Sequence, residues 1–310
     1  MSQDILTSTF AGAIRSGTPL LFATLGEILA ERSGILNLGV EGMMLIGAFT
    51  GFAVSYTTSN LWLAVIAAMG AAAILASLHA FVSITLKVNQ VVSGLALVFL
   101  GSGLSGFWGQ KFVGIQSVSF SNVKIPLLGD IPFVGTILFD RDPLVYVGYL
   151  LVPLIWWYLY KTKYGMNLRA VGEAPAAADA RGINVSLTRY IYTIIGGALS
   201  GLGGAYLSLA YTSMWVENMT AGRGWIAVVL VIFAIWDPVL AMVGAYIFGG
   251  ISVLQFGLQV AQTPIPPNIM KMFPYLFTVA VMLFTSSEKM KKRFGAPTAL
   301  GIPYSREEKT

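Results

Sequence analysis

The chain has 310 residues, of which 56% are hydrophobic and 11% are charged, whereas about 25% of residues are charged in soluble domains. This composition excludes an ordinary soluble protein and is typical of a chain that crosses a membrane repeatedly. The net charge of +5 does not indicate nucleic-acid binding, because the basic residues lie in polar segments between apolar runs. The absence of cysteine excludes disulfides and thiolate chemistry.

Apolar runs long enough to cross a bilayer as helices recur along the whole sequence. We therefore predict an all-α polytopic membrane protein with about nine transmembrane helices, or roughly 8 to 10, in a single domain over residues 1–310. The predicted spans are 12–30, 37–56, 61–86, 90–108, 144–160, 190–210, 224–236, 238–259 and 272–285.

The predicted span 224–236 is short, and Asp237 and Pro238 separate it from the next span. A short or broken helix at membrane depth is tolerated only where protein or a cavity surrounds it. We therefore expect this helix to lie inside the bundle.

Charge predicts the orientation of the chain. The polar segment 161–189 carries five basic and two acidic residues, and the tail 286–310 begins with a cluster formed by Lys289, Lys291, Lys292 and Arg293. Because loops rich in lysine and arginine stay in the cytoplasm, both segments are predicted to be cytoplasmic. The segment 109–143 has balanced charge and is predicted to lie outside, together with the N-terminus.

A short helix is predicted within the segment 161–189. Pro175 suits the first helical position, the alanine-rich residues 176–180 favour helix, and Gly182 suits a left-handed end. A small, smooth helix on the cytoplasmic side suits docking to another protein; an ordinary solvated loop is the alternative.

Small residues recur every fourth position in three predicted spans. Such stripes allow helix backbones to approach closely, and in lipid this packing replaces the hydrophobic effect as the driving force. The stripes are Ala64, Ala68, Ala72, Ala76 and Ala80; Gly197, Gly201 and Ala205, with Gly196, Ser200 and Gly204 beside them; and Ala241, Ala245 and Gly249.

Charged residues inside spans are costly and are candidates for function. We expect the carboxylates of Glu27, Glu31 or Glu41 to pair with Arg32 at the cytoplasmic boundary; direct contact with substrate is the alternative. We interpret His79 as a packing residue with satisfied hydrogen bonds.

Several kinds of site have no support in the sequence. There is no G-x-x-x-x-G-K phosphate loop, no zinc-ligand spacing and no G-x-S-x-G motif. We therefore predict no catalytic residue, no metal site and no cofactor bound by this chain. Transport of a neutral solute, driven by a separate ATPase, fits best; a secondary transporter or channel, or a membrane-embedded enzyme, remains open.

Two segments resemble a known family. Residues 30–49, AERSGILNLGVEGMMLIGAF, resemble the signature near the start of ATP-binding-cassette (ABC) importer permeases of the branched-chain amino acid, ribose and nucleoside group. Residues 165–185, GMNLRAVGEAPAAADARGINV, resemble the cytoplasmic coupling loop of that group. Within it, ERSGILNLGVEGMML and the tail FGAPTALGIPYSREE are most similar to nucleoside-type, or simple-sugar, permeases, with weaker support from QVVSGLALVF. Relatives with ten spans have an extra N-terminal helix, which this chain lacks by our count.

The resemblance implies a permease subunit of an ATP-driven importer in a bacterial plasma membrane, with a cytoplasmic C-terminus. Its cargo would be a nucleoside, or alternatively a simple sugar such as ribose. The implied partners are cytoplasmic ABC ATPase subunits, which would bind ATP and Mg²⁺, a second and larger permease subunit, and an extracytoplasmic substrate-binding lipoprotein.

The resemblance also assigns residues to coupling with the ATPase: Gly165, Asn167, Gly172, Glu173, Pro175, Ala177, Ala178, Gly182 and Ile183. A neutral cargo with many hydrogen-bonding groups suits a pathway lined by polar and aromatic side chains. The candidates for that pathway are Asn37, Glu41, Asn89, Gln90 and Trp108.

Overall fold

The computed structural model describes residues 2–260, residues 296–306 and isolated positions between 266 and 283. Over these residues the chain is predominantly helical, which confirms the predicted all-α class. The predicted span 272–285 falls partly outside the described residues, and the basic cluster from Lys289 to Arg293 lies wholly outside them. Within the described residues, five helices are long and apolar enough to cross a membrane: Leu61–Thr85, Gln90–Phe112, Pro143–Lys161, Val185–Tyr211 and Pro238–Gln255.

The helices follow one another with short connections, apart from the long segments between the fourth and sixth helices and between the ninth and tenth. In chain order they are α1 (Ser2–Arg32), α2 (Val40–Thr58), α3 (Leu61–Ala80), α4 (Gln90–Gly109), α5 (Val134–Leu138), α6 (Pro143–Lys161), α7 (Lys163–Glu173), α8 (Pro175–Ala180), α9 (Val185–Tyr206), α10 (Arg223–Phe233) and α11 (Pro238–Val260).

Three helices continue into a turn of different geometry. π-Helical turns follow α3 at Phe81–Thr85 and α9 at Leu207–Tyr211, and a 3₁₀ turn follows α4 at Gln110–Phe112. In the long connection, strands β1 (Val123–Lys124) and β2 (Asp140–Arg141) form a small antiparallel ribbon.

Helix α9 is the centre of the bundle. Of the apolar window within Val185–Tyr211, 83% is buried, against 28% for Gln90–Phe112, so α9 lies inside and α4 outside. The small-residue stripes explain how it packs, since a Cβ on Gly201 would overlap both the Ala72 methyl group and the Ala68 carbonyl oxygen. The prediction of close helix crossings at these stripes is therefore confirmed.

Helix α10 is short and begins inside the protein. Its 11 residues span about 16 Å, roughly half of a bilayer core of about 30 Å. The buried carboxylate of Glu41, on the first turn of α2, accepts hydrogen bonds from the Gly222 N–H (2.9 Å), the Gly224 N–H (2.6 Å) and the Thr220 hydroxyl (2.6 Å). A carboxylate at this position satisfies N–H groups that have no partner within the helix and complements the helix dipole.

The expected pairing with Arg32 is confirmed only as an electrostatic attraction between Glu31 and Arg32, and the hydrogen-bond partners of Glu27 and Glu31 are other groups. Glu27 instead accepts from the Asn37 backbone N–H (2.9 Å), and Glu31 accepts from the Trp236 indole N–H (2.6 Å). Arg32 donates to the Trp236 carbonyl oxygen (3.4 Å). The turns that follow α1 and α10 leave polar groups close to these side chains, and those groups become the partners.

The break between α10 and α11 lies where the sequence predicts it. Helix α10 ends at Phe233 and α11 begins at Pro238. Between them, Ile235 and Trp236 both adopt a positive φ of 54°. The Asp237 carboxylate then accepts from the first free N–H groups of α11, at 2.9 and 3.2 Å, which is the usual role of aspartate at a helix start.

The bundle has two ends, which we name by their residues. The α8 end comprises α7, α8, residues 296–306 and the turns 33–39, 86–89 and 234–237; the hydrogen bond between Thr85 and Tyr190 (2.5 Å) is one of its links. The opposite end comprises segments 110–142 and 212–222, and is joined to the bundle by the bond from the Phe120 N–H to the Leu209 carbonyl (2.9 Å).

Replacing Glu41 tests the role of its carboxylate at α10. Glu41→Ala leaves a hydroxyl and two backbone N–H groups without their acceptor, and we expect it to lower the free energy of unfolding by at least about 2 kcal/mol. Glu41→Gln keeps one acceptor oxygen and should lose less. The measurement is the thermal midpoint of the purified protein in detergent, with Glu217→Ala as a control, since Glu217 is an exposed glutamate of the same loop. Equal midpoints for Glu41→Ala and the parent would contradict this role.

Candidate functional site

Helix α7 was not anticipated and makes most of the predicted polar loop helical. It begins after Thr162, whose hydroxyl accepts from the Gly165 N–H (3.1 Å). It lies directly against the end of α6, because a Cβ on Gly165 would overlap the backbone of Tyr158 and Leu159. At its other end, a Cβ on Gly172 would overlap the Arg32 carbonyl oxygen, so α7 also touches the end of α1.

Helix α8 has the boundaries that the sequence predicts. Pro175 is its first residue, and Gly182 follows its end with φ +84°. The Ile183 N–H donates to the Ala178 carbonyl (3.1 Å) and the Gly182 N–H to the Asp179 carbonyl (2.8 Å), as in a glycine-terminated helix. The local prediction is confirmed.

Helix α8 presents one alanine face inward and another outward. Ala178 is buried in a small cluster with Val171 of α7 and Val185 of α9. Ala176 and Ala177 are exposed. The small helix therefore rests on the bundle and leaves a smooth surface of small side chains free at the α8 end.

The predicted coupling residues fall into three groups by exposure. Gly165, Gly172 and Ala178 are buried at contacts between helices, whereas Asn167, Pro175 and Ile183 are half-buried. Glu173, Ala177 and Gly182 are exposed. The structure thus brings all of them together around α7 and α8, and their contact with an ATPase stays a prediction.

A cleft of about 430 Å³ opens beside α8. Lys87, Asp179, Tyr304 and Arg306 are among the residues that line it. Asp179 is already engaged, because the Arg306 guanidinium lies 2.8 Å from its carboxylate and the Tyr304 hydroxyl donates to it (3.2 Å). Burial and this hydrogen bond raise the pKa of Tyr304, which therefore remains a donor. Lys87 remains an exposed cation beside α8.

Two of the predicted pathway residues stabilise the turn 33–39. Gln90 accepts from the Leu36 N–H (2.7 Å), and Asn37 accepts from the Gly39 N–H (3.0 Å). His79 joins the same turn, with its imidazole 3.2 Å from the Leu36 carbonyl and 3.0 Å from the Ser93 hydroxyl. The interpretation of His79 as a satisfied packing residue is confirmed.

The other pathway candidates lie apart from each other. Glu41 holds the start of α10, and the side chain of Asn89 accepts from the Val91 N–H (2.9 Å) at the start of α4. Trp108 is half-exposed near the opposite end, with its ring 6.2 Å from that of Phe49. The structure gives these side chains local roles, and their contact with substrate stays a prediction.

Sequence reasoning missed two residues with central positions. Thr220 is the hydroxyl partner of Glu41, 179 positions away in sequence. Arg189 is 2% exposed and donates to the Ser33 carbonyl (3.2 Å) and the Ile302 carbonyl (3.0 Å). Neither has a local signal, because Thr220 lies in an ordinary turn sequence and Arg189 looks like any basic residue at a loop end.

Comparison with the sequences of known proteins places this chain in a family. Residues 9–284 match the model for the branched-chain amino acid transport system permease component. TsgC13 of Haloferax volcanii, which carries the name of a glucose ABC transporter permease protein, is 41% identical over 95% of this chain and 96% of its own. The guanosine ABC transporter permease protein NupQ of Bacillus subtilis is 34% identical over 97% of both chains. The nucleoside ABC transporter permease protein NupC of Lactococcus lactis is 33% identical over 93% of both.

A second set of relatives accompanies the first. Each of the same three organisms also has a more distant permease relative, 23–26% identical, of which the match covers 80–83%. No solved structure matches the chain. With the family model matching most of its length, and with the relatives above, this chain belongs to the branched-chain amino acid transport system permease family, in the group of sugar and nucleoside ABC transporter permeases.

Proposed function

We propose that this chain is the permease subunit of an ATP-driven importer of nucleosides, with a simple sugar as the alternative cargo. The observation that carries the proposal is the unit of α7 and α8, which exposes a smooth alanine face at one end of a helical membrane bundle. Its family membership supplies the context, since the relatives carry the names of ABC transporter permeases.

The α8 end faces the cytoplasm in this proposal, and the chain crosses the membrane about nine times. Exposed Lys87, Lys161 and Arg181 lie at the α8 end. Helix α11 starts at that end and, at Val253, lies beside Gly12 near the start of α1. Residues 296–306 are again at the α8 end. A ninth span at 272–285, as the sequence predicts, would return the chain to the α8 end.

In this proposal, α8 receives the movement of the ATPase. A separate cytoplasmic ATPase binds ATP and Mg²⁺ and docks on the exposed alanine face, and its closure moves α7 and α8. Because α7 touches the end of α1 at Gly172, and α8 packs on Val185 at the start of α9, the movement reaches the centre of the bundle. ATP then shifts the equilibrium between the two access states of the permease, because an effector favours the state that it binds more tightly.

A second permease subunit completes the pathway. The paired relatives of this chain support this step, because each of three organisms has one permease that is more similar to this chain and one that is more distant from it. Large apolar side chains remain exposed on α3 and α4, among them Ile74, Phe99 and Phe107. Such surfaces require lipid or a partner. A substrate-binding lipoprotein delivers the cargo at the opposite end.

A neutral cargo agrees with the interior of the protein. The buried carboxylates Glu27, Glu31 and Glu41 each accept a hydrogen bond from a donor within the chain, which supports a structural role for them over contact with an ionic substrate. The nucleoside permeases among the relatives support nucleosides, whereas TsgC13 supports a sugar such as glucose as the alternative.

Two glycines provide a matched test of α8. Gly182 and Gly114 have φ of +84° and +80°, and neither has a neighbour within 4 Å of an added Cβ. Valine at either position therefore imposes a similar backbone strain of about 1–2 kcal/mol, but only Gly182 ends α8. In the reconstituted complex, Gly182→Val should lose most ATP-dependent uptake while Gly114→Val keeps it. Normal uptake by Gly182→Val would remove α8 from the coupling path.

The cargo is tested by uptake in cells with and without the gene. We expect its deletion to reduce uptake of labelled nucleosides far more than uptake of glucose, ribose or leucine, and a plasmid copy to restore it. A selective loss of glucose or ribose uptake would keep the importer and replace the nucleoside assignment with the sugar alternative. Unchanged uptake of every solute would contradict both.

A further inference from the structure

We propose that residues 296–306 act as a brace, which ties α7 and α8 to the turn after α1 and to the central helix α9. The inference rests on the proposed function, because the brace matters for transport only if α8 receives the movement of an ATPase. It assigns positioning roles to Thr298, Arg189 and Tyr304, and none of them is proposed to touch substrate or nucleotide.

The first attachment of the brace is to α7. The Glu173 carboxylate, on the last residue of α7, accepts from the Thr298 hydroxyl (2.9 Å) and the Thr298 N–H (3.3 Å). The next residue, Ala299, is 6% exposed, and its N–H donates to the Gly172 carbonyl (2.9 Å). The end of α7 is therefore bonded to the brace through both backbone and side chain.

The second attachment is to the turn after α1 and to the start of α9. The Gly301 N–H donates to the Gly34 carbonyl (3.1 Å). Arg189 of α9 donates through Nε to Ser33 (3.2 Å) and through Nη1 to Ile302 (3.0 Å). A buried guanidinium is stable only when hydrogen-bonded, and here both bonds to carbonyls hold α9 against the turn and the brace at once.

The third attachment is to α8 and is more exposed. Tyr304 packs against the small cluster that contains Ala178, and its hydroxyl donates to Asp179 (3.2 Å). Arg306 pairs with the same carboxylate at 2.8 Å, with most of its own side chain exposed. Exposed ion pairs contribute little individually, so the packing of Tyr304 is the main element of this attachment.

These three attachments add to the direct contacts of α7 with α1 and of α8 with α9. Helix α8 has only six residues, and Ala178 is its one buried side chain. A force on so short a helix would displace it alone if nothing else held it. With the brace in place, α8, α7, the turn 33–35 and α9 are connected through residues 296–306, so a movement of α8 reaches the helix on which α1, α2 and α3 pack.

Two truncated chains distinguish the contribution of the brace from that of residues 307–310. A chain ending after residue 295 lacks the brace, and a chain ending after Arg306 is the matched control that lacks only residues 307–310. Both are tested in the reconstituted complex, and the readout is solute transported per ATP hydrolysed. We expect loss of the brace to lower this ratio at least about fivefold, in line with the loss of several hydrogen bonds, with ATP hydrolysis retained and the control unchanged.

If the truncated chain does not assemble, a double variant provides the test. Thr298→Val with Tyr304→Ala removes the Thr298 hydroxyl bond to Glu173, the Tyr304 hydroxyl bond to Asp179 and the packing of the Tyr304 ring, and leaves the backbone of the brace intact. Its ratio of transport to hydrolysis should fall about threefold. An unchanged ratio in the double variant, or in an assembled truncated chain, overturns the brace. Absence of ATP-dependent uptake by the parent complex would instead overturn the proposed function.

Discussion

At the start of helix α10, the buried carboxylate of Glu41 accepts hydrogen bonds from the groups that the helix start leaves unpaired. In an apolar surrounding each such group costs free energy unless the protein satisfies it. This one side chain therefore permits a half-length helix that begins within the bundle. The same constraint explains why Glu27, Glu31 and Gln90 bind the turns beside them.

Helix α9 connects the two ends of the bundle. Its glycines allow α3 to pack at close range, and Arg189 near its start bonds to the turn after α1 and to residues 296–306. Helices α7 and α8 join the same residues. The exposed alanine face of α8 is therefore connected to the central helix α9 through named hydrogen bonds, and the proposed coupling has a physical route.

The features of the fold that are set by residues close together in the sequence could be predicted. Pro175 and Gly182 mark the ends of α8, Asp237 and Pro238 mark a helix start, and the small-residue stripes mark close crossings. The partners of Glu41 and Arg189 could not be predicted, because they lie 113 to 183 positions away in sequence. Helix α7 was missed because its polar composition resembles that of a loop until packing against α6 and α1 orders it.

The most direct test of the account is a site-specific cross-link from α8 to the ATPase. The chain has no native cysteine, so a benzophenone can be attached to Ala177→Cys alone, on the exposed face of α8. Ser121→Cys, exposed at the opposite end, is the control. Illumination of the assembled complex should join the ATPase to position 177 and not to position 121. An ATPase cross-link at position 121, with none at position 177, would contradict both the orientation and the docking role of α8.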